Sequence, residues 1–364
     1  MLSNFPLTLN TGLFEKAIPA ATSWLLADCM EFRGKQDLWI RQRPELLTAL
    51  RERAIIQSVE SSNRIEGVET DAGRLPLILA GRSRPRDRSE EELLGYQRAL
   101  KSTFSSNTAT ISRSTLLRLH KLSQAGAHDA GKWKTRNNEI IEISTSGQSR
   151  VRFVPLEPKF IPDAIDELCL RYEAMQGKRV APSLLLIATF VFDVLCIHPF
   201  RDGNGRVARL VTAMLLEQSG FVIARFVSLE RVIEQTKDSY DVALEASSNG
   251  WHDGRNDISP WWNYFLSLIR RAYAELAETV EAAPIAGGKR QIVVAAVEQM
   301  AESFALAEVC AVAGGVSEVM VKHVLAELRA QGRLKLSGRG RGARWEKRQT
   351  PSQSNSSPRN MLPR

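Results

Sequence analysis

His198-Pro199-Phe200-Arg201-Asp202-Gly203-Asn204-Gly205-Arg206-Val207-Ala208-Arg209 holds the residue types that phosphate chemistry needs, in an order that can bring them together. Gly203 and Gly205 let successive backbone N–H groups converge into a concave nest. A helix starting there adds free donors and the positive end of its dipole, which favour an anion. Arg206 and Arg209 are three residues apart, so they share one helix face behind the nest and could bracket a polyphosphate. Asp202 brings a carboxylate to the mouth of the loop, suited to a Mg²⁺ arriving with a nucleotide. His198 can take a proton near neutral pH. A lone His before Pro is usually structural, and Gly-Asn-Gly alone is usually a turn. Their combination with an acid and two spaced arginines points to phosphate chemistry.

The flanking pattern says what must hold these residues. Leu184 to Ile197 is apolar apart from Thr189 and Asp193, which predicts a buried helix that Pro199 ends. Val207, Leu210, Val211, Met214 and Leu215 recur at helical spacing up to Ser219-Gly220. Leu46, Leu47, Leu50, Ala54, Ile55 and Val59 predict a long helix from Pro44 toward Ser62, with Gly67 as a terminator. Arg82 to Glu92 reads as a charged, solvated loop leading into a helix start. A helix over Ile111–Ser123 follows, and His120 and His128 lack ligand-like companions. Glu139–Ile143 and Arg150–Val154 are β-rich runs around Ser144–Ser149, a hairpin. Phe226 to Ala246 reads as helical. Trp24-Leu25-Leu26 and Leu38-Trp39-Ile40 read as helices packed on the core.

The segment 198–209 closely resembles the Fic family signature, H-P-F-x-[D/E]-G-N-G-R-x-x-R, with every defining position filled. The resemblance, over about residues 50–275, implies a mainly α fold: a helical core carrying a β-hairpin flap. It implies a nucleotidyltransferase that moves AMP from ATP, with Mg²⁺, to a Tyr, Thr or Ser hydroxyl of a protein target or of itself. Carried over, His198 is the general base and Asp202 the Mg²⁺ residue. Gly203, Asn204, Gly205, Arg206 and Arg209 bind the phosphates, and Tyr240 lines the nucleotide pocket. Ile140, Ile141 and Glu142 belong to the flap that docks the target backbone. Ser62-x-x-x-Glu66-Gly67 resembles the family's inhibitory motif, in the class with an N-terminal inhibitory helix. Glu66 is then expected to occupy Arg209 and so to compete with the outer phosphate of ATP. Lys134 stands where the family usually has Arg, and Leu156 where a second Pro is common.

Composition bounds the rest. Of the net charge of +8, most lies beyond Ile285, where thirteen Lys and Arg face six Asp and Glu. That asymmetry points to a nucleic-acid-facing appendage. Four scattered cysteines suggest reduced thiols rather than a zinc site or a disulfide framework. With no basic start followed by an apolar run and no span long enough for a bilayer, the expectation is a cytoplasmic protein with no membrane contact. The expected domains are 1–110, a helical region with the inhibitory helix, and 111–280, the catalytic core. A linker at 281–288, a small α+β domain at 289–348 and a disordered tail at 349–364 follow. Helical patterns at Gln291–Met300, Leu306–Ala313 and Ser317–Ala330, then two strands around a basic glycine tip, look like a winged helix-turn-helix. That likeness makes DNA a candidate partner, through the third helix and Arg339, Arg341 and Arg344. A second copy of the chain is another candidate partner. The alternative functions are a DNA-binding regulator that senses ATP through the same site, and transfer of another nucleotide such as UMP.

Overall fold

The computed structural model describes residues 5–68, 73–105, 110–143, 149–282, 288–338 and 343–348. The chain divides into two compact units, 1–285 and 286–364.

The first unit is helical. Short α1 (Thr11–Phe14) precedes α2 (Ala20–Gln42), and α3 (Pro44–Ile65) begins on a proline, whose fixed φ suits a first helical turn. At the far end of α3, Glu66 is the C-cap and Gly67 turns the chain with φ +76°. Then come α4 (Leu75–Leu79), α5 (Arg88–Ser105) and α6 (Arg113–Ser123), the last capped by the Ser112 hydroxyl accepting from Thr115 N–H. A hairpin follows, β1 (Ile140–Ile143) with β2 (Ser149–Phe153). It is antiparallel with Ile141 opposite Val151 and an irregularity between Ile140 and Ile141. The remaining helices are α7 (Ile161–Gly177), α8 (Ser183–Ile197), α9 (Asn204–Gln218), α10 (Leu229–Gln235), α11 (Lys237–Ser248) and α12 (Ser259–Ala282).

α8 is the centre of this unit: every side chain from Leu184 to Ile197 is buried. α7, α9 and α12 pack around it. A helix apolar on all sides belongs inside a protein. Its two buried polar residues, Thr189 and Asp193, are the points where it is pinned. Thr189 accepts from Trp262 Nε1 at 2.9 Å. Asp193 accepts from Thr8 N–H at 3.0 Å, Leu9 N–H at 2.8 Å and Trp251 Nε1 at 2.9 Å. Trp261 Nε1 donates to the Ala188 carbonyl at 2.8 Å.

Two expectations need correction. The stretch Phe226–Ala246 is two helices, not one: Thr236 leaves helical geometry at φ −121°, ψ 27°, and its hydroxyl donates back to the Val232 carbonyl, ending α10. In α2, Trp39 is buried, but Trp24 is 74% exposed and Leu38 52% exposed, so those two do not pack on the core.

The second unit contains α13 (Gly288–Gln299), β3 (Ser303–Ala305), α14 (Leu306–Val312), α15 (Glu318–Ala330), β4 (Leu334–Ser337) and β5 (Arg344–Lys347). Its sheet is antiparallel in the order β3-β5-β4. Phe304, Val309, Val321, Val324, Leu325 and Leu334 form its buried centre. Strand β3 is absent from the sequence expectation. Arg339 and Arg341, the linker 283–287 and the tail from 349 lie outside the described residues. No helix among the described residues is long and apolar enough to cross a membrane.

Candidate active site

α8 hands the chain to the signature loop at His198, whose φ of +51° is left-handed and uncommon for a residue with a Cβ. The backbone turns sharply there, and Pro199 prevents the helix from continuing. The loop is then closed on itself by Asn204. Its side-chain oxygen accepts from Phe200 N–H at 2.9 Å, and its amide nitrogen donates to the Phe200 carbonyl at 2.8 Å. Gly203 is also left-handed, φ +76°, and a Cβ on it would lie 2.2 Å from Gln124 Nε2. The left-handed backbone is what calls for glycine at 203, and the Gln124 side chain fills the space where a Cβ would stand. α9 starts at Asn204, so its first free N–H groups face the loop.

Three neighbours hold this loop that the sequence does not advertise. His120, on α6, stacks on Phe200 with ring centroids 3.8 Å apart. Its Nδ1 accepts from Gly131 N–H at 2.9 Å, so Nε2 carries the proton and donates to the Asp202 carbonyl at 3.1 Å. Trp133 also stacks on Phe200, with ring centroids 5.0 Å apart. Lys134 N–H donates to the Pro199 carbonyl at 3.0 Å, while its buried Nζ donates to Asn138 Oδ1 at 2.7 Å. Burial brings the Lys134 ammonium down to about 8.

His198 is half-buried. Burial, and then the charge of Lys134, push its imidazole down to about 4, against opposing effects of the Leu195 carbonyl, Glu66 and Asp202. Asp202 is exposed at the mouth of the loop, one carboxylate oxygen accepting from Gly203 N–H at 2.7 Å. It lines a cavity of about 320 Å³ together with Arg88, Gln124, His128, Asp129 and Arg201.

Glu66 reaches the other side of the loop. Its Oε1 accepts from Arg209 Nη2 at 2.7 Å, and Arg209 also donates to the Ser62 hydroxyl and carbonyl, each at 3.1 Å. A Cβ on Gly205 would meet that same Glu66 oxygen at 2.6 Å and Arg209 Nη1 at 3.0 Å. The carboxylate therefore lies directly over the second loop glycine. Burial alone would lower the Arg209 pKa, but Glu66 and Tyr96 outweigh it and raise it above its ordinary value. Tyr240 stands close by, half-buried and edge-on to Trp261 at 5.3 Å; burial raises its phenol, with Arg209 acting against.

Two residues expected among the phosphate ligands have other partners. Arg206 is 2% exposed and ion-paired to buried Glu92 at 2.7 Å, so it does not share an open face with Arg209. The Asn204 carboxamide is spent on Phe200, where it braces the loop. The structure does bring His198, Asp202, Gly203, Gly205, Arg209 and Glu66 to one loop, with Ser62 and Tyr240 beside Arg209. On the flap, β2 is tied to α11 by Arg150–Glu245 at 2.7 Å and Arg152–Asp241 at 3.6 Å, and Ile141 is exposed.

Residues 110–216 match the Fic/DOC family. Protein adenylyltransferase fic-1 of Caenorhabditis elegans is 26% identical over 159 residues, 40% of this chain and 27% of that protein. Protein adenylyltransferase Fic of Nematostella vectensis is 27% identical over 241 residues, 62% of this chain and 50% of that protein. The chain thus spans half or less of the length of these curated relatives. Among solved structures, a Fic family protein from Desulfovibrio desulfuricans superposes with a TM-score of 0.61 at 18% identity, covering 92% of this chain and 98% of that one. Fic-1 from C. elegans superposes at 0.54 with 20% identity, covering 73% and 74%. These likenesses show the fold, and the family match places a Fic/DOC domain over residues 110–216, which include the signature loop.

Proposed function

We propose that the chain is a protein adenylyltransferase, moving AMP from ATP to a hydroxyl of a target protein and of itself, and restrained by Glu66. The observation that carries the reading is the adjacency of the His198 imidazole to a glycine loop opening on a helix N-terminus. The names of the curated relatives point the same way.

In this reading His198 removes the proton as the hydroxyl oxygen attacks the α-phosphorus. The bond from that phosphorus to the bridging oxygen breaks, and pyrophosphate leaves with the electron pair. The backbone N–H groups around Gly203 and Gly205 and the α9 N-terminus stabilise the charge on the transferred group. Arg209 is the cation for the outer phosphate. Tyr240 borders the nucleotide, and backbone pairing at Ile140, Ile141 and Glu142 registers the target. Asp202, an exposed oxygen donor at the mouth of the loop, is the residue that would hold Mg²⁺, which when bound would supply positive charge for the phosphates. Restraint follows from position: the Glu66 carboxylate covers Gly205 and occupies Arg209, where a phosphate would lie. Substituting Glu66→Gly should raise incorporation of label from α-labelled ATP into the protein, and His198→Ala in that background should abolish it. Equal incorporation by the parent and Glu66→Gly counts against restraint.

The second unit supports an accessory reading, a winged helix that binds DNA. Its helix–strand–helix–helix–strand–strand order is favourable, and α15 exposes Val319, Lys322, His323 and Arg329. Arg344 is less free than expected, donating to the Ser303 hydroxyl at 3.0 Å and carbonyl at 2.9 Å. A gel shift should weaken for Lys322→Ala/Arg329→Ala and with rising salt.

A further inference from the structure

Arg209 makes two kinds of contact. Its Nη2 donates to Glu66 Oε1 at 2.7 Å, the contact read above as the restraint. Its other two bonds go to Ser62, from Nε to the hydroxyl and from Nη2 to the carbonyl, each at 3.1 Å. The hydroxyl is one link of a longer chain. Having accepted from Arg209, Ser62 turns its own hydrogen to the Tyr96 phenol, and Tyr96 donates in turn to Glu230 Oε1 at 2.8 Å. The second Glu230 oxygen accepts from the Ser228 hydroxyl at 3.3 Å. Four helices meet in this chain: α9 supplies Arg209, α3 Ser62, α5 Tyr96 and α10 Glu230. Water is shut out of it: Ser62 and Tyr96 are fully buried, Glu230 is 3% exposed and Arg209 9%.

A buried network whose members are all satisfied holds its groups in one arrangement. A guanidinium is a rigid planar fork, so holding its Nε side fixes where its Nη groups point. We propose that Tyr96 and Glu230 are positioning residues for the outer phosphate of ATP. They hold the Ser62 hydroxyl as the rest on which Arg209 stays aimed when the Glu66 carboxylate is gone. The inference rests on the reading of Arg209 as the cation for that phosphate. Neither Tyr96 nor Glu230 touches the nucleotide; each acts through Ser62. Removing Glu66 breaks one of the three Arg209 bonds and leaves the two to Ser62, so the arginine is freed for a phosphate without being set loose.

The test compares binding of α,β-methylene-ATP and α,β-methylene-ADP by calorimetry, with Mg²⁺, in the Glu66→Gly background. Neither nucleotide turns over, and the ratio of their affinities isolates the outermost phosphate. Tyr96→Phe keeps the ring and cuts the chain at its middle. It should weaken the triphosphate about three- to tenfold, the scale of one side chain freed to move, and the diphosphate less than about twofold. Ser62→Ala should do the same, and the double variant should be no worse than Ser62→Ala, because Tyr96 acts through Ser62. Thermal melting reports folding. If Tyr96→Phe does not fold, Glu230→Leu cuts the same chain at its far end under the same expectation. Equal weakening of both nucleotides, an unchanged ratio, or losses that add in the double variant overturn the inference and leave Tyr96 a packing residue. Arg209→Met separates the two layers. If it removes the preference for the triphosphate while the folded chain variants keep it, only the positioning role fails. If it leaves that preference intact, the reading of Arg209 fails and this inference with it.

Discussion

Burial and the Lys134 ammonium hold the His198 imidazole down to about 4. The group is therefore already unprotonated where a histidine in water would be half charged, at about 6.5. A general base must be unprotonated to act, so lowering pH through the ordinary histidine range should leave it in service. We predict that the Glu66→Gly variant, assayed at saturating ATP, shows no acid limb between about pH 6 and 8. A limb with a midpoint near 6.5 would mean that the imidazole is solvated in the working complex. Arg206 leads to a different expectation. Removing one partner of a buried pair strands the other charge, at a cost of about 3–5 kcal/mol. Glu92→Ala should thus lower the unfolding free energy by that order, measured by denaturant unfolding, and Arg206→Ala should do likewise rather than affect nucleotide affinity alone. Spacing put Arg206 and Arg209 one turn apart on α9, but Arg206 turns to Glu92 while Arg209 turns to Ser62 and Glu66. It could not show that Glu92, more than a hundred residues earlier, had claimed one of them. His120 was hidden for the same reason: its Nε2 meets the backbone carbonyl of Asp202, eighty-two residues later.

At the scale of the element, α8 is the lever on which the base sits. Five residues before His198, Asp193 gathers two backbone N–H groups from residues 8 and 9 and the indole of Trp251. Burial raises its carboxyl to about 6, while those donors favour the ionised form. Asp193→Ala would leave buried donors unpaired, each costing about 1–3 kcal/mol. We expect a loss of at least about 3 kcal/mol in unfolding free energy, and faster amide exchange at residues 7–10, which lose their anchor. Exchange unchanged there would show that the segment is held by its other contacts. α8, α9 and the hairpin are legible from local signals: an apolar run, a helical period, a change to β-rich residues, and Pro or Gly at the ends. The break at Thr236 is less so, because it depends on one hydroxyl turning to its own backbone. Strand β3 is only three residues long and exists because β5, some forty residues later, pairs with it. No local period announces such a strand.

Across the whole molecule, charge and chemistry are segregated. Every residue assigned to the base, the nest, the restraint and the flap lies within 1–285, whereas most of the surplus positive charge lies beyond. The first unit has a core of its own: α12 supplies Trp261 and Trp262 to α8 and runs to Ala282. A chain ended after residue 285 should therefore fold, melt cooperatively, and in the Glu66→Gly background label itself with AMP at a rate within about twofold of the full chain, a difference of about 0.4 kcal/mol in barrier. The same truncation should abolish any salt-sensitive gel shift, because the basic surplus goes with the removed unit. Mass spectrometry of the truncated and full chains after incubation with ATP, beside the gel shift, measures both halves at once. Loss of AMP incorporation in a truncated chain that still melts cooperatively would mean that the second unit completes or activates the site. Retention of the gel shift would instead move nucleic-acid binding to the helical unit and remove the reason for assigning it to α15.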